Sequence, residues 1–484
     1  MPNGTVKAEY FKEAIARVQE ESVQNCTSRQ QALSRGNMFF GPCALLNSAE
    51  WRVGGLYSKR QRSDRPMSSA ATLEDKTLTL ILAGGEGERL YPLTADQPKP
   101  VMPFGGVFRI IDFTLSNVLN SGLRRIYVLT QYKQERLHSY VRLGWPQLCD
   151  EFRSDCGEQI VCLPPGGGKR YRGTADAVFQ NLDLIETSGS EHVLIVSGDQ
   201  IYHMDYGKLL CRHATSGADL TIAAVEYPVE LAGSMGVIQA DPSDRAIGIE
   251  EKPMSPQPLP SNPKKALVNM GVYVFKKESL VEALRKNVDL NGADDLRKDI
   301  LPFLVGLGRA VVFRFDGYWR GIGTLDAYYQ ANLDLLQADA PLDPYENSAW
   351  PTRTLGGAKT LQRSWLASDS RVSQGAALAE CKIRMSIVST GARIDAGAEL
   401  EAAVVLPGAH IGKGAKIRNA IVAEKTVVAP HARIGYEADA DSAQFPVSEN
   451  GIVIVGEYGP LVLPHARRGA NVRPYLEKRP ERNL

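Results

Sequence analysis

The chain has 484 residues, 43% of them hydrophobic, and a formal net charge of +1. That length predicts two or three domains, and the balanced charge points to no nucleic-acid or membrane-surface partner. No apolar run approaches the ~18 residues of a membrane-spanning helix, and the seven cysteines include no CxxC pair, which fits free thiols in a reducing, cytoplasmic setting.

Residues 1–72 carry little pattern. Glu9, Glu13, Glu20 and Glu21 come too early for a transit peptide, and no basic start with an apolar stretch marks a secretory signal. An N-terminal extension, poorly ordered and dispensable, is expected there, with Met67 a better beginning than Met1.

From Thr77 the chain becomes informative. Thr77 to Ala83 is short, apolar and rich enough in β-branched residues for a buried strand. Gly84, Gly85 and Gly87 follow at once. Glycines directly after a strand let backbone N–H groups approach an anion closely. Arg89, and Lys99 between two prolines, add positive charge to the same mouth. The stretch predicts a phosphate cradle, although it lacks the third glycine of a dinucleotide fingerprint and the Gly-Lys-Ser/Thr of a P-loop.

Strands are expected at Arg125 to Gln131, Val193 to Ser197, Ala218 to Val225 and Val272 to Phe275. Helices are expected at 112–121, 133–141, 175–186, 206–216 and 280–286. Such alternation predicts a Rossmann-like α/β domain with a mixed, mostly parallel sheet over residues 73–338, binding ligands beyond the carboxyl ends of its strands. Pro341, Pro344 and Pro351 mark a linker over 339–368. Val388, Ile394, Leu400, Val405, Ile411, Ile417, Val422, Val428 and Ile434 then recur every six residues, with steps of five after Leu400 and Ile417. That period is the mark of a parallel β-helix, expected over 369–484 together with a C-terminal tail.

Several polar residues stand at strand ends or turns. Ser197-Gly198-Asp199 ends a strand with a carboxylate, suited either to magnesium or to capping the turn before Tyr202. Lys252 lies between Glu251 and Pro253, at a turn rather than on a solvated helix face. A metal site from Cys149, Cys156 and Cys162 is less favoured than free thiols, because their spacing matches no common zinc pattern.

GGEGERLYPLT, PKP and FGGVFRIIDFTLSN together resemble the sugar-nucleotide pyrophosphorylases, and more narrowly the ADP-glucose pyrophosphorylases. The resemblance covers about residues 77–455. It implies that Leu82, Ala83, Gly84, Gly85 and Gly87 surround the nucleotide, that Gln131 lies near the adenine, and that Tyr171, Gly173 and Thr174 of YRGTADA line the same site. It implies sugar-phosphate binding by Gly236, Glu251, Lys252 and Asn269, and catalytic roles for Arg89, Lys99 and Asp199, with Asp199 holding Mg2+. The implied substrates are ATP and glucose 1-phosphate, and the implied products ADP-glucose, for glycogen or starch, and pyrophosphate. A left-handed coil, a homotetramer or a hetero-oligomer with a related subunit, and a small-molecule effector are implied as well.

Some positions depart from the family pattern. Gly321 stands where W-x-D-x-G-T carries an Asp, a second magnesium ligand. Glu88 replaces a Thr, Asn269 a Ser, and Asp96 and Gln97 a basic pair tied to a phosphorylated activator. Weakened catalysis and an altered activator response are expected. Two alternatives follow: a catalytically weak or inactive regulatory subunit, or a pyrophosphorylase for another nucleotide sugar. A β-helix also occurs in acyltransferases, for which His410 and His431 would be bases, but surface positions on the coil are the favoured reading for both.

Overall fold

The computed structural model describes residues 72–456 apart from 151–159, 167–168, 290–291, 293, 338–339 and 356–368. All but Thr72 of the extension expected over 1–72, the C-terminal tail, most of the second half of the linker and Cys156 lie outside the described residues. The described residues belong to one compact unit.

Thr77–Ala83 is the strand on which the first domain is built. It pairs in parallel with His192–Ser197 on one side and Ile126–Thr130 on the other. Its side chains are buried on both faces, with Leu78 and Leu80 in one core cluster and Ile81 and Ala83 in the opposite one. A strand buried on both sides accounts for the continuous apolar run. The register sets Ala83 opposite Thr130 and Leu82 opposite Ser197. The chain segments beginning at Gly84, Gln131 and Gly198 therefore leave the sheet at one level.

Ile160–Leu163 extends the parallel side. Beyond His192–Ser197 the sheet turns antiparallel at Lys265–Lys276, which also pairs with Gly236–Ala240 and Leu220–Pro228. Ala310–Phe315 joins Leu220–Pro228 in parallel, and Ala246–Glu251 forms the edge beside Gly236–Ala240. The result is the mixed sheet expected. The helix expected at 175–186 is two, Thr174–Phe179 and Leu182–Thr187. Asn181 sits at the break, where its Nδ2 donates to the Ala177 carbonyl and to the Tyr171 hydroxyl oxygen. Asn competes for backbone partners in this way and so interrupts helices.

The second domain is a parallel β-helix. Glu399–Val405 stacks on Lys416–Val422 with Glu399 opposite Lys416 and Val405 opposite Val422, an advance of 17 residues per turn. Two steps of six and one of five account for that turn. All nine aliphatics of the six-residue repeat lie in a single buried cluster inside the coil.

The two domains share apolar core. Val404, Leu406, Ile421, Ala423, Ile452 and Ile454 of the coil are buried with Leu90, Leu93, Met102, Phe104, Phe108 and Tyr328 of the first domain. Polar contacts cross the same boundary: the Tyr329 hydroxyl donates to the Ala402 carbonyl at 2.6 Å and Ser448 Oγ to Asp326 at 2.6 Å.

Candidate active site

The glycine loop opens where the central strand ends. Gly87 has φ +68°, a left-handed conformation that glycine adopts without steric cost. A Cβ there would stand 3.3 Å from Lys99 Cβ and 3.1 Å from Thr94 Cγ2. The loop is thus folded tightly against the segment that carries Lys99. Gly85 faces open space, with nothing within 4 Å of where its Cβ would be. The turn is therefore not packed shut.

Lys99 and Asp199 meet. Lys99 Nζ donates to Asp199 Oδ2 at 2.6 Å, and the Ser197 hydroxyl donates to Oδ1. Burial pushes the Asp199 carboxyl up, but Lys99, the Ser197 hydroxyl and Arg297 at longer range outweigh it and hold the group below the usual carboxylate range. Asp199 is accordingly an ionised carboxylate at the strand end. Arg89 is exposed, and its Nη2 lies 3.4 Å from where a Cβ of Gly323 would be. Leu82 reaches the same place through its backbone, its carbonyl accepting from the Gly198 N–H at 2.9 Å.

Among the residues expected to line the nucleotide, a Cβ on Gly84 would lie 3.3 Å from Gln131 Cβ, and Gln131 Oε1 accepts from the Tyr171 N–H. Gly84, Gln131 and Tyr171 are therefore neighbours, as the motifs imply. Gly173 has a packing role: its hydrogen faces the Asp294 carbonyl, and a Cβ would come within 2.3 Å of that oxygen. Thr174 Oγ1 accepts from the Leu296 N–H at 2.8 Å, tying the same segment to residues 294–296.

The residues expected on the sugar side also converge. A Cβ on Gly236 would lie 2.9 Å from Glu251 Oε2 and 3.4 Å from Asn269 Cβ. Asn269 is buried in a bulge of Lys265–Lys276, where its Oδ1 accepts from the Gly271 N–H at 2.8 Å and its Nδ2 donates to the Tyr273 hydroxyl at 3.0 Å. Lys252 is exposed on a turn with φ +54°, its backbone N–H held by the Met235 carbonyl at 2.9 Å. Among the described residues its ammonium has no ion-pair partner.

The sequence reading missed Arg297. Its Nη1 lies 3.1 Å from Glu251 Oε1 and its Nη2 3.6 Å from Asp295 Oδ2. Glu251 is almost wholly buried, and Arg297 is the cation that meets it there. The signal is the run Arg297-Lys298 beside Asp294-Asp295, but no spacing rule ties it to Glu251.

Gly321 lies opposite Gln200 in a short antiparallel pair, and the Ile322 N–H donates to the Asp199 carbonyl at 3.3 Å. A Cβ at 321 would meet the Trp319 ring at 3.6 Å, and glycine supplies no side chain there. Among the described residues no three His, Cys, Asp or Glu side chains converge as a metal cluster. The donor set is a single ionised carboxylate next to an anion cradle. Magnesium commonly binds through one or two carboxylates plus substrate phosphates, so the residues present fit it. His410 is engaged by Asp395 at 2.9 Å on the surface of the coil.

A glycine turn at strand ends, a Lys–Asp pair beside it and a polar pocket one strand over are the equipment of an enzyme that transfers a nucleotidyl group. Residues 78–338 match the family described as nucleotidyl transferase, and residues 354–455 match the GlmU-like, C-terminal hexapeptide family, consistent with a left-handed coil. The chain is 41% identical over 404 residues to the glucose-1-phosphate adenylyltransferase of Paramagnetospirillum magneticum, covering 78% of this chain and 93% of that one. It is 41% identical over 401 residues to glucose-1-phosphate adenylyltransferase 2 of Alkalilimnicola ehrlichii, with 79% and 94% covered. The glucose-1-phosphate adenylyltransferase of Shewanella sp. strain ANA-3 is 41% identical over 406 residues, with 80% and 96% covered. The chain belongs to the nucleotidyl transferase family and, within it, to the glucose-1-phosphate adenylyltransferases. No helix among the described residues is long and apolar enough to cross a membrane.

Proposed function

We propose that this protein transfers the adenylyl group of ATP to α-D-glucose 1-phosphate, giving ADP-glucose and pyrophosphate. The observation that carries the reading is that the open glycine turn and the Lys99–Asp199 pair stand at the ends of adjacent strands, with Arg297 acting on Asp199 at longer range and pairing with Glu251 of the Gly236–Glu251 pocket. A phosphate oxygen of glucose 1-phosphate attacks the α-phosphorus, the bond to the β-phosphate oxygen breaks, and pyrophosphate leaves. No covalent bond to the protein is required. The work left to the chain is to hold two anions in line and offset their charge.

Backbone N–H groups of 84–87, with Arg89 and Lys99, face the triphosphate. Gln131 orients the base, and Glu251 and Lys252 hold the sugar hydroxyls and the sugar phosphate. Asp199 would hold Mg2+, which supplies charge neutralisation at the phosphates. Glu88 is exposed and so adds little repulsion at the loop. The product serves glycogen or starch synthesis in the cytoplasm, and the working form is a tetramer, alone or with a related subunit. Asp96 and Gln97 carry no positive charge, so a phosphorylated activator finds a weaker site there.

The test is direct. The purified chain, given magnesium, glucose 1-phosphate and each nucleoside triphosphate in turn, should form ADP-glucose from ATP at the highest rate. Failure to form any nucleotide sugar would assign it the role of a regulatory subunit, and preference for another triphosphate would change the product.

A further inference from the structure

Lys99 belongs to the first domain, but its segment is held from the second. Glu424 follows the coil strand Lys416–Val422 and points across the domain boundary. One carboxylate oxygen accepts from Gln97 Nε2 at 2.9 Å and the other from Arg109 Nη1 at 3.2 Å. Arg109 Nη1 also donates to the Val101 carbonyl at 2.8 Å. Gln97 lies two residues before Lys99 and Val101 two residues after it. Glu424 thus closes a bracket around Pro98-Lys99-Pro100, directly on one side and through Arg109 on the other. Gln97 is buried, and Arg109 and Glu424 are both largely shielded from water. Charge-assisted bonds in such a setting are stronger than surface pairs.

The opposite side of the segment is closed too. Gly87 packs on Lys99 Cβ, and Lys99 Nζ is bonded to Asp199. Beneath it, Met102 is buried with Ile421 and Ala423 of the coil. The apolar floor fixes the height of the segment, but burial is non-directional and sets no rotation. Directional bonds set rotation, and on the coil side Glu424 supplies them.

We propose that Glu424 is a positioning residue for Lys99: the β-helix sets the placement of the ammonium on which phosphate transfer depends. The inference rests on the adenylyl-transfer reading above. A displacement of about 1 Å in a positioned group can cost a rate factor on the order of 10², so a relaxed bracket lowers turnover while leaving the sugar and nucleotide pockets intact.

The experiment compares wild type, Glu424→Ala, Glu424→Gln, Lys99→Met and the double variant Lys99→Met with Glu424→Ala, all as full-length chains, by steady-state adenylyl transfer. Glu424→Ala should lower kcat by about tenfold or more, with both KM values within about twofold. Glu424→Gln, which keeps acceptor and shape but loses charge, should fall between. In the Lys99→Met background Glu424→Ala should cost nothing further, since residues acting as one unit are non-additive. Full additivity, a kcat of Glu424→Ala within about twofold of wild type, or a loss of thermal stability with both KM values raised would each overturn the proposal. An inactive wild type would overturn the adenylyl-transfer reading and this inference with it. An active wild type with unaffected Glu424 variants would overturn this inference alone.

Discussion

Lys99 and Lys252 are both cations at the site, but their surroundings assign them different work. Lys99 is mostly shielded and bonded to Asp199 at 2.6 Å, so its charge is fixed in place before substrate arrives. Preorganised charge of this kind acts on the transition state, and removing one such group costs roughly 2–4 kcal/mol of barrier. Lys99→Ala should therefore lower kcat by about 10²-fold or more in steady-state assays. Lys252 is exposed and sits on a left-handed turn, φ +54°, that strains a non-glycine residue. On the proposed function its side chain is free to meet the sugar phosphate, so Lys252→Ala should raise KM for glucose 1-phosphate about tenfold with kcat little changed. Equal effects of the two substitutions on kcat would contradict this division. Arg297 acts through Glu251. Without it the buried Glu251 loses the cation that holds it. Arg297→Ala should thus raise KM for glucose 1-phosphate, while Arg297→Lys recovers part. A KM for glucose 1-phosphate unchanged in Arg297→Ala would exclude that role. Asp199, Lys99 and Glu251 were legible because each sits in a short motif at a turn. Arg297 was not, because what places it is a pairing between distant turns.

The coil was the most legible element, since its spacing is dictated by one repeated geometric demand. Each inward position must be aliphatic and each corner small, and nothing else in the chain has a period of six. Ile417 illustrates the consequence. It is fully buried, stacks between Leu400 and Ile434 and lies in a cluster made of coil residues. Ile417→Ala removes methylene groups from a core that relaxes only in part, at a cost of about 2–5 kcal/mol. Chemical denaturation should show that loss, with KM values for both substrates unchanged in the variant that remains folded. A loss below about 1 kcal/mol would mean the coil can collapse around the gap. The first domain was legible on its central parallel strands, which are continuous apolar runs. Gly236–Ala240, Ala246–Glu251 and Ala310–Phe315 were not anticipated. They are short, and charged or glycine residues interrupt them. Their strand character comes from pairing: Gly236–Ala240 with Lys265–Lys276, Ala246–Glu251 with Gly236–Ala240, and Ala310–Phe315 with Leu220–Pro228, which local pattern does not carry.

Because the apolar core runs through both domains, proton uptake at any buried group is felt by the folded molecule as a whole. Two groups act in opposite directions. Burial pushes the Asp112 carboxyl up to about 7, and the Arg109 N–H and Tyr140 hydroxyl that donate to it do not cancel the effect. Between about pH 4, the value of a free Asp, and pH 7, the folded chain holds a proton that the unfolded chain has released. Stability from this group is therefore present at low pH and lost as pH rises through that window. His213 is the reverse case. Burial, followed by the neighbouring His192, lowers it to about 3, so between pH 3 and 6.5 the unfolded chain holds a proton that the folded chain refuses. Its contribution is present above pH 6.5 and lost as pH falls. Each pKa unit is worth about 1.4 kcal/mol at full titration, so the two slopes offset one another between pH 4 and 6.5, where His203, which burial lowers to about 4, adds a further rising slope. Asp112→Asn removes the falling slope and leaves the rising one. Its melting temperature should climb more steeply with pH over that range than the wild-type value. A profile parallel to wild type would mean that Asp112 carries the same charge in the folded and unfolded chains. His213→Gln should tilt the profile the other way, its melting temperature climbing less with pH between 4 and 6.5 than the wild-type value.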